Sequence, residues 1–286
     1  MNPFGVRGAW LRRQQPPDEL VTTARGLEEL GYDTVWISGG GEPGIFDILE
    51  AVLDGTERIL VAPGIVNIWV ETPESVTDGW HRLEERHPGR LYVGLGISHG
   101  RLVEGMGLDY SRPVATTRAF LDGLDAQTDP LPVDRRIVAA LGPKMLRLAA
   151  ERSLGTHPYL TTVDNTVAAR AGVGPGKVVA TELGVVLEPD LAAARAQGKE
   201  AIAYYLGLPN YTNNWRRAGF TDEDLGDGTP ATVSDRLVDA LLGLGDAAAV
   251  SERIRAHRDA GADHVCVQVL GSAPDPLAVF AALKDA

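Results

Sequence analysis

The chain has a single cysteine, Cys266, among 286 residues. One thiol excludes an intrachain disulfide and any cysteine-built metal cluster, and no metal is expected. Cys266 stands in the apolar run HVCVQVL, where a small buried thiol packs as a hydrophobe. No run of 18 apolar residues occurs, so no segment reads as a membrane-spanning helix. The opening MNPFGVRGAWLRRQQ lacks the apolar core of a secretory signal, and a cytoplasmic location is expected. Basic runs are short: Arg12-Arg13 and Arg216-Arg217 stand in a chain with 27 Lys plus Arg against 39 Asp plus Glu, a net charge of −12. A chain this acidic is poorly suited to nucleic acid, so a small-molecule ligand is expected instead. No Pro/Gly/Ser-rich linker divides the chain, and 1–286 reads as one domain.

What is present is alternation. Apolar runs at 4–11, 33–38, 58–69, 90–98, 135–142, 156–162, 177–188 and 263–271 read as eight strands. Between them lie helical patterns at 18–31, 45–56, 73–89, 112–126, 143–155, 163–173, 190–208, 234–245 and 246–262, and 275–286 closes the chain. The strands are continuously apolar, as strands buried on both faces are. Eight βα units in slightly more than the typical roughly 250 residues predict a (β/α)8 TIM barrel. A doubly wound sheet would place a glycine loop after the first strand, and WLRRQQPPD has none. The irregular stretch 207–233 reads as a short insertion after strand 7.

In a barrel, function gathers where strands end at the C-terminal face. VGLGISHG at 93–100 ends the fourth strand. Its glycines imply close backbone approach, either to a neighbouring strand or to a flat ligand, and His99 lies just past the strand. In LVAPGIVNIW, Gly64 marks a bulge inside a buried strand, and Asn67 must find hydrogen-bond partners there. At ALGPKM, a strand stops at Gly142-Pro143 and a helix begins. Its free N–H groups, with Lys144 in the first turn, form an anion site or an ordinary turn.

The segments GYDTVWIS (31–38), TERILVAPGIVNIW (56–69), HPGRLYVGLGISH (87–99), AALGPKMLRLAAERSLGTHPYLTT (139–162), YLGLPNYTNNWRRAGFT (205–221) and GADHVCVQVL (261–270) together resemble the bacterial luciferase-like superfamily. Within it, the chain is most similar to the actinobacterial coenzyme F420-dependent oxidoreductases. The resemblance implies a tricyclic ring bound at the barrel mouth and hydride transfer between coenzyme F420 and a small organic substrate. It implies a non-prolyl cis peptide in a third-strand bulge at Gly64-Ile65, with Asn67 just beyond, propping the ring. It places His99 near the reactive ring carbon, where deazaflavin relatives carry an acid, with Ser98 beside it. It also places Leu141, Gly142, Pro143, Lys144 and Met145 at the ring edge or phosphate. A homodimer is implied as well. One departure stands out: many relatives carry an acid-histidine pair after the second strand, where this chain reads Ser38-Gly39-Gly40-Gly41-Glu42. That shifts acid–base work to His99 and Glu42, and the triple glycine would open the pocket.

Trp10, Trp69 and His157 stand at strand ends and are expected to line the substrate side. His81, His87 and His257 read as solvated helix residues and His264 as structural. Glu182 reads as solvated or ion-paired. Arg216 and Arg217, in PNYTNNWRRAGF, read either as a clamp on an anionic tail or as rim packing. Two alternatives to the F420 enzyme remain: an FMN-dependent monooxygenase on the same barrel, and a flavin-binding barrel without turnover.

Overall fold

A computed structural model describes residues 2–272 and 275–286. The first half of the chain forms β1 (Arg7–Leu11), α1 (Pro17–Glu29), β2 (Thr34–Ile37), α2 (Ile45–Gly55), β3 (Leu60–Pro63), β4 (Val66–Asn67), α3 (Pro73–Arg86), β5 (Val93–Gly96), α4 (Gly100–Gly105) and α5 (Pro113–Asp125). The second half forms β6 (Arg136–Val138), α6 (Pro143–Arg152), β7 (Gly155–Thr156), α7 (Val163–Val173), β8 (Val178–Leu187), α8 (Leu191–Leu206), α9 (Pro209–Arg217), α10 (Asp222–Leu225), α11 (Asp235–Leu241), β9 (Gly243–Gly245), α12 (Ala247–Asp259), β10 (His264–Val269) and α13 (Pro276–Ala282).

Local signals start the helices. Prolines open α1, α3, α5, α6, α9 and α13, where the missing N–H costs no hydrogen bond. Thr72 with Ser75 and Thr162 with Asn165 form reciprocal capping boxes on α3 and α7.

All strand pairs are parallel, in the order β3-β2-β1-β10-β8-β7-β6-β5-β4. The two ends of that path, β3 and β4, are halves of one strand parted at Gly64-Ile65. A parallel bridge from Val61 to Leu91 crosses the seam. The result is a nearly closed (β/α)8 barrel. Phe4, Trp36, Tyr92 and Cys266 fill its axis. There the Trp36 indole N–H donates to His264 Nε2 at 3.0 Å, and burial pushes the Cys266 thiol up. The main core lies between strands and helices, and a third cluster packs Trp215, Phe220, Leu237 and Leu241 onto Ile202 and Leu206 of α8.

Several boundaries differ from the sequence pattern for local reasons. The sixth strand shrinks to Gly155–Thr156, because Pro158 has no N–H to donate and Leu160 turns left-handed at φ 52°. The helix expected over 234–245 stops at Leu241. Gly243 and Gly245 are poor helix residues, and that segment extends the sheet beside Val185–Leu187. The insertion after strand 7 folds into α9 and α10 over its own apolar cluster. His257 is fully buried rather than solvated, with Nδ1 2.9 Å from Thr166 Oγ1. The third-strand bulge forms with trans peptides, and no cis bond occurs among the described residues. Gly64 lets the chain kink there, and its N–H donates to Ile37 O at 2.6 Å.

Candidate active site

Because the strands are parallel, their C-terminal ends share one face, and a cavity of about 790 Å³ opens there. The bulge forms one wall. Gly39 and Gly96 flank Ile65 so closely that a Cβ on Gly39 would overlap the Ile65 carbonyl oxygen, and one on Gly96 would overlap the Ile65 side chain. Gly94 backs onto the Pro63 and Gly64 carbonyls, and Gly64 makes way for the Trp10 indole. Gly94 and Gly96 of VGLGISHG therefore make room for the neighbouring strand. The triple glycine likewise does not widen the pocket at Gly39, which is packed against the bulge.

Three expected site residues lie elsewhere. Asn67 is buried behind the wall: its Nδ2 donates to Gly40 O at 3.0 Å and its Oδ1 accepts the Trp69 N–H at 3.2 Å. Trp69 donates its indole N–H to Ile97 O at 3.0 Å. Neither lines the cavity. Their polar atoms are already used in bracing the loops after strands 2 and 4. Glu42 is exposed outside the cavity, because its loop turns outward into α2, and its carbonyl accepts from Arg13.

His99 does line the cavity, together with Ser98, which adopts φ 59°. His99 caps α4: its Nδ1 accepts the Leu102 N–H at 3.3 Å. That leaves the ring proton on Nε2, which faces the Tyr204 hydroxyl at 3.2 Å. Burial, aided by the Arg101 charge, holds the imidazole below its usual pKa, so the ring is neutral near pH 7.

Across the mouth, Leu141, Gly142, Pro143, Lys144 and Met145 all line the cavity. Gly142 caps α6 with no side-chain acceptor, so the first-turn N–H groups are free to meet a ligand. Arg217 reaches the same place from α9, donating to Asn214 Oδ1 at 3.1 Å. Arg216 turns away to pair with Asp222 at 2.7 Å.

The remaining wall is aromatic. His157 stacks on Trp36 at 4.1 Å and lies 5.7 Å from Trp10. Its Nδ1–H donates to Ala180 O at 2.6 Å, and burial pulls it down to about 3, so it serves as a neutral platform and not as an acid. The Tyr159 hydroxyl donates to Gln268 Oε1 at 2.8 Å and lies 3.1 Å from the Tyr205 hydroxyl. Glu182 is buried beneath, neither solvated nor ion-paired. It accepts the Leu160 N–H at 2.9 Å, and burial pushes it up to about 8. The sequence pattern does not single out Tyr204, Tyr205, Tyr211 or Gln268, and it shows Arg12 only as part of a short basic run. The tyrosine-rich run AYYLGLPNY was the available signal.

Among the described residues, no Asp or Glu lines the cavity. Its cations are Arg12, Lys144 and Arg217, and none of them is ion-paired to a carboxylate among the described residues. In a chain of net charge −12, the charged side chains that line this cavity are positive.

The sequence family described as luciferase-like monooxygenase matches residues 3–264, and the chain belongs to that family. It is 26% identical to a Mycobacterium tuberculosis protein named as a coenzyme F420-dependent oxidoreductase, over 86% of this chain and 89% of the other. The fold is that of the coenzyme F420-dependent tetrahydromethanopterin reductase from Methanopyrus kandleri, with a TM-score of 0.79, 18% identity, and 99% and 98% of the two chains covered. It also matches the oxygenating constituent of 3,6-diketocamphane monooxygenase from Pseudomonas putida, solved with FMN. There the TM-score is 0.66, the identity 18%, and the coverage 98% and 96%.

Proposed function

On the premise of that family membership, we propose that the protein is a coenzyme F420-dependent oxidoreductase acting on a small organic substrate. The observation that carries the reading is the cavity's chemistry: a wall built around Ile65, free cations, and no carboxylate. These features suit a flat ring with an anionic tail. Bound there, coenzyme F420 would supply a hydride donor or acceptor.

The chain's residues do the rest. Ile65, held between Gly39 and Gly96, backs the ring. The Lys144 and Met145 N–H groups, with the Lys144 and Arg217 side chains, take the phosphate at the start of α6. Leu102, Val114 and Met145 keep water from the walls. His99 Nε2–H donates a hydrogen bond to the Tyr204 hydroxyl, which in turn directs its own O–H at a substrate oxygen and polarises it. Trp10 and His157 form the platform on the substrate side. The loss of the acid-histidine pair after strand 2 leaves His99, hydrogen-bonded to Tyr204, as the histidine that orients the substrate oxygen.

FMN has a similar ring and a phosphate, so the same cradle suits a monooxygenase. Oxygen consumption separates the two, because deazaflavin reacts poorly with oxygen. The reading extends to a cytoplasmic homodimer of single-domain subunits, which light scattering on the purified protein checks for oligomeric state. The function itself is tested by anaerobic incubation with reduced F420 and a panel of carbonyl and alkene compounds. Substrate-dependent oxidation of the cofactor is the expected result, and its absence across the panel counts against the proposal.

A further inference from the structure

We propose that Arg12 binds an anionic group of the substrate, which makes the substrate an organic acid that also carries a carbonyl or hydroxyl oxygen. The inference rests on the F420 reading of the cavity and deepens it.

The first support is the position of the charges. Around the barrel the strand order is β1, β2, the β3/β4 pair, β5, β6, β7, β8 and β10. Lys144 follows β6, and Arg217 stands beside it, with Nη2 3.8 Å from where a Gly142 Cβ would be. These two cations form one pole. Arg12 follows β1, half the barrel away. A phosphate at the Lys144 pole leaves Arg12 without a counter-charge.

The second support is what surrounds Arg12. Trp10 pairs in register with Gln268, and Arg12, two residues on, lines the cavity together with Tyr159, Tyr205 and Gln268, of which Tyr159 and Gln268 are hydrogen-bonded. The Tyr205 hydroxyl, 3.1 Å from that of Tyr159, feels the Arg12 charge. Gln14 lines the same side. The Arg12 guanidinium therefore shares its side of the cavity with neutral hydroxyl and amide groups and with the Trp10 indole. That arrangement matches a carboxylate attached to a small, flat carbon skeleton with one polar oxygen. An amine would meet cations and no carboxylate. A neutral molecule would gain nothing from Arg12.

The test compares 2-oxobutanoate with its uncharged amide, 2-oxobutanamide, by calorimetric titration of the F420-loaded protein and of the protein alone. The two probes differ only in charge at one end. The acid is expected to bind about tenfold more tightly than the amide, and added salt should erase the difference. Arg12→Gln should remove the discrimination while changing F420 affinity less than twofold. The proposal is overturned if the acid binds no more tightly than the amide, which includes binding of neither. It is also overturned if Arg12→Gln weakens F420 instead, since Arg12 would then serve the cofactor's tail. Failure of wild-type protein to bind F420 would count against the functional reading, whereas loss of the acid–amide difference in Arg12→Gln, measured on the protein alone, would still decide the role of Arg12.

Discussion

His99 Nε2 lies 3.2 Å from the Tyr204 hydroxyl, and the opposite ring nitrogen accepts the Leu102 N–H at 3.3 Å. The cap on α4 thus fixes which nitrogen carries the proton, and the Tyr204 hydroxyl accepts its hydrogen bond. His99→Ala should lower turnover about 100-fold with F420 affinity kept. Tyr204→Phe, which keeps the ring, should do much the same. The double variant should be little worse than either single one, because both break the same hydrogen-bonded pair. Single-turnover rates with the best substrate from the panel check this. Full activity in His99→Ala would remove His99 from the chemistry.

The bulge makes a sharper structural demand. A Cβ on Gly39 meets backbone, the Ile65 carbonyl, which cannot swing aside. Gly39→Ala should cost about 1–3 kcal/mol in urea unfolding and weaken F420 binding. Gly105→Ala has no atom within 4 Å of the new carbon and should leave both nearly unchanged.

The anion pole should report itself through salt. Lys144→Ala and Arg217→Ala should each weaken F420 binding about tenfold and flatten its dependence on ionic strength. Arg216→Ala, paired away to Asp222, should change it little. Fluorescence titrations at two salt concentrations check the three variants together.

Stability should peak near pH 6.5. Burial holds His157 at about 3 and His257 and His264 at about 4, so the unfolded chain takes protons first and stability falls as pH drops from about 6.5. Glu182 acts in the opposite direction. Burial raises it from 4.5 to about 8, so the folded state keeps that proton and stability falls as pH climbs toward 8. Below pH 6.5 three histidines outweigh one glutamate; above it Glu182 acts alone. Urea midpoints at pH 5, 6.5 and 8 should trace this shape. Glu182→Gln, which can still accept from Leu160, should abolish the alkaline fall.

Periodicity was enough to read the barrel, because strands buried on both faces are continuously apolar and each is followed by an amphipathic helix. The Gly64 bulge was visible as a glycine inside such a run. Its consequences for Gly39, Gly94 and Gly96 were not, since they arise from strands that become neighbours only in the fold. Asn67 and Trp69 looked available for a ligand because a sequence does not display the backbone carbonyls of Gly40 and Ile97 that occupy them. The tyrosine wall was hidden for a related reason. Tyr204, Tyr205 and Tyr211 lie on α8 and α9, outside the strand ends where barrel sites are sought, and only the insertion's packing on Leu160 and Trp215 carries them to the mouth.

The most direct measurement is a pair of fluorescence titrations of the purified protein, one with oxidised coenzyme F420 and one with FMN. The cavity's unpaired cations and bulge predict saturable F420 binding that weakens in Arg217→Ala. Saturable binding of FMN without binding of F420 would contradict the hydride-transfer function and point to oxygen chemistry. Binding of neither would contradict the assignment of the cavity as a ring site.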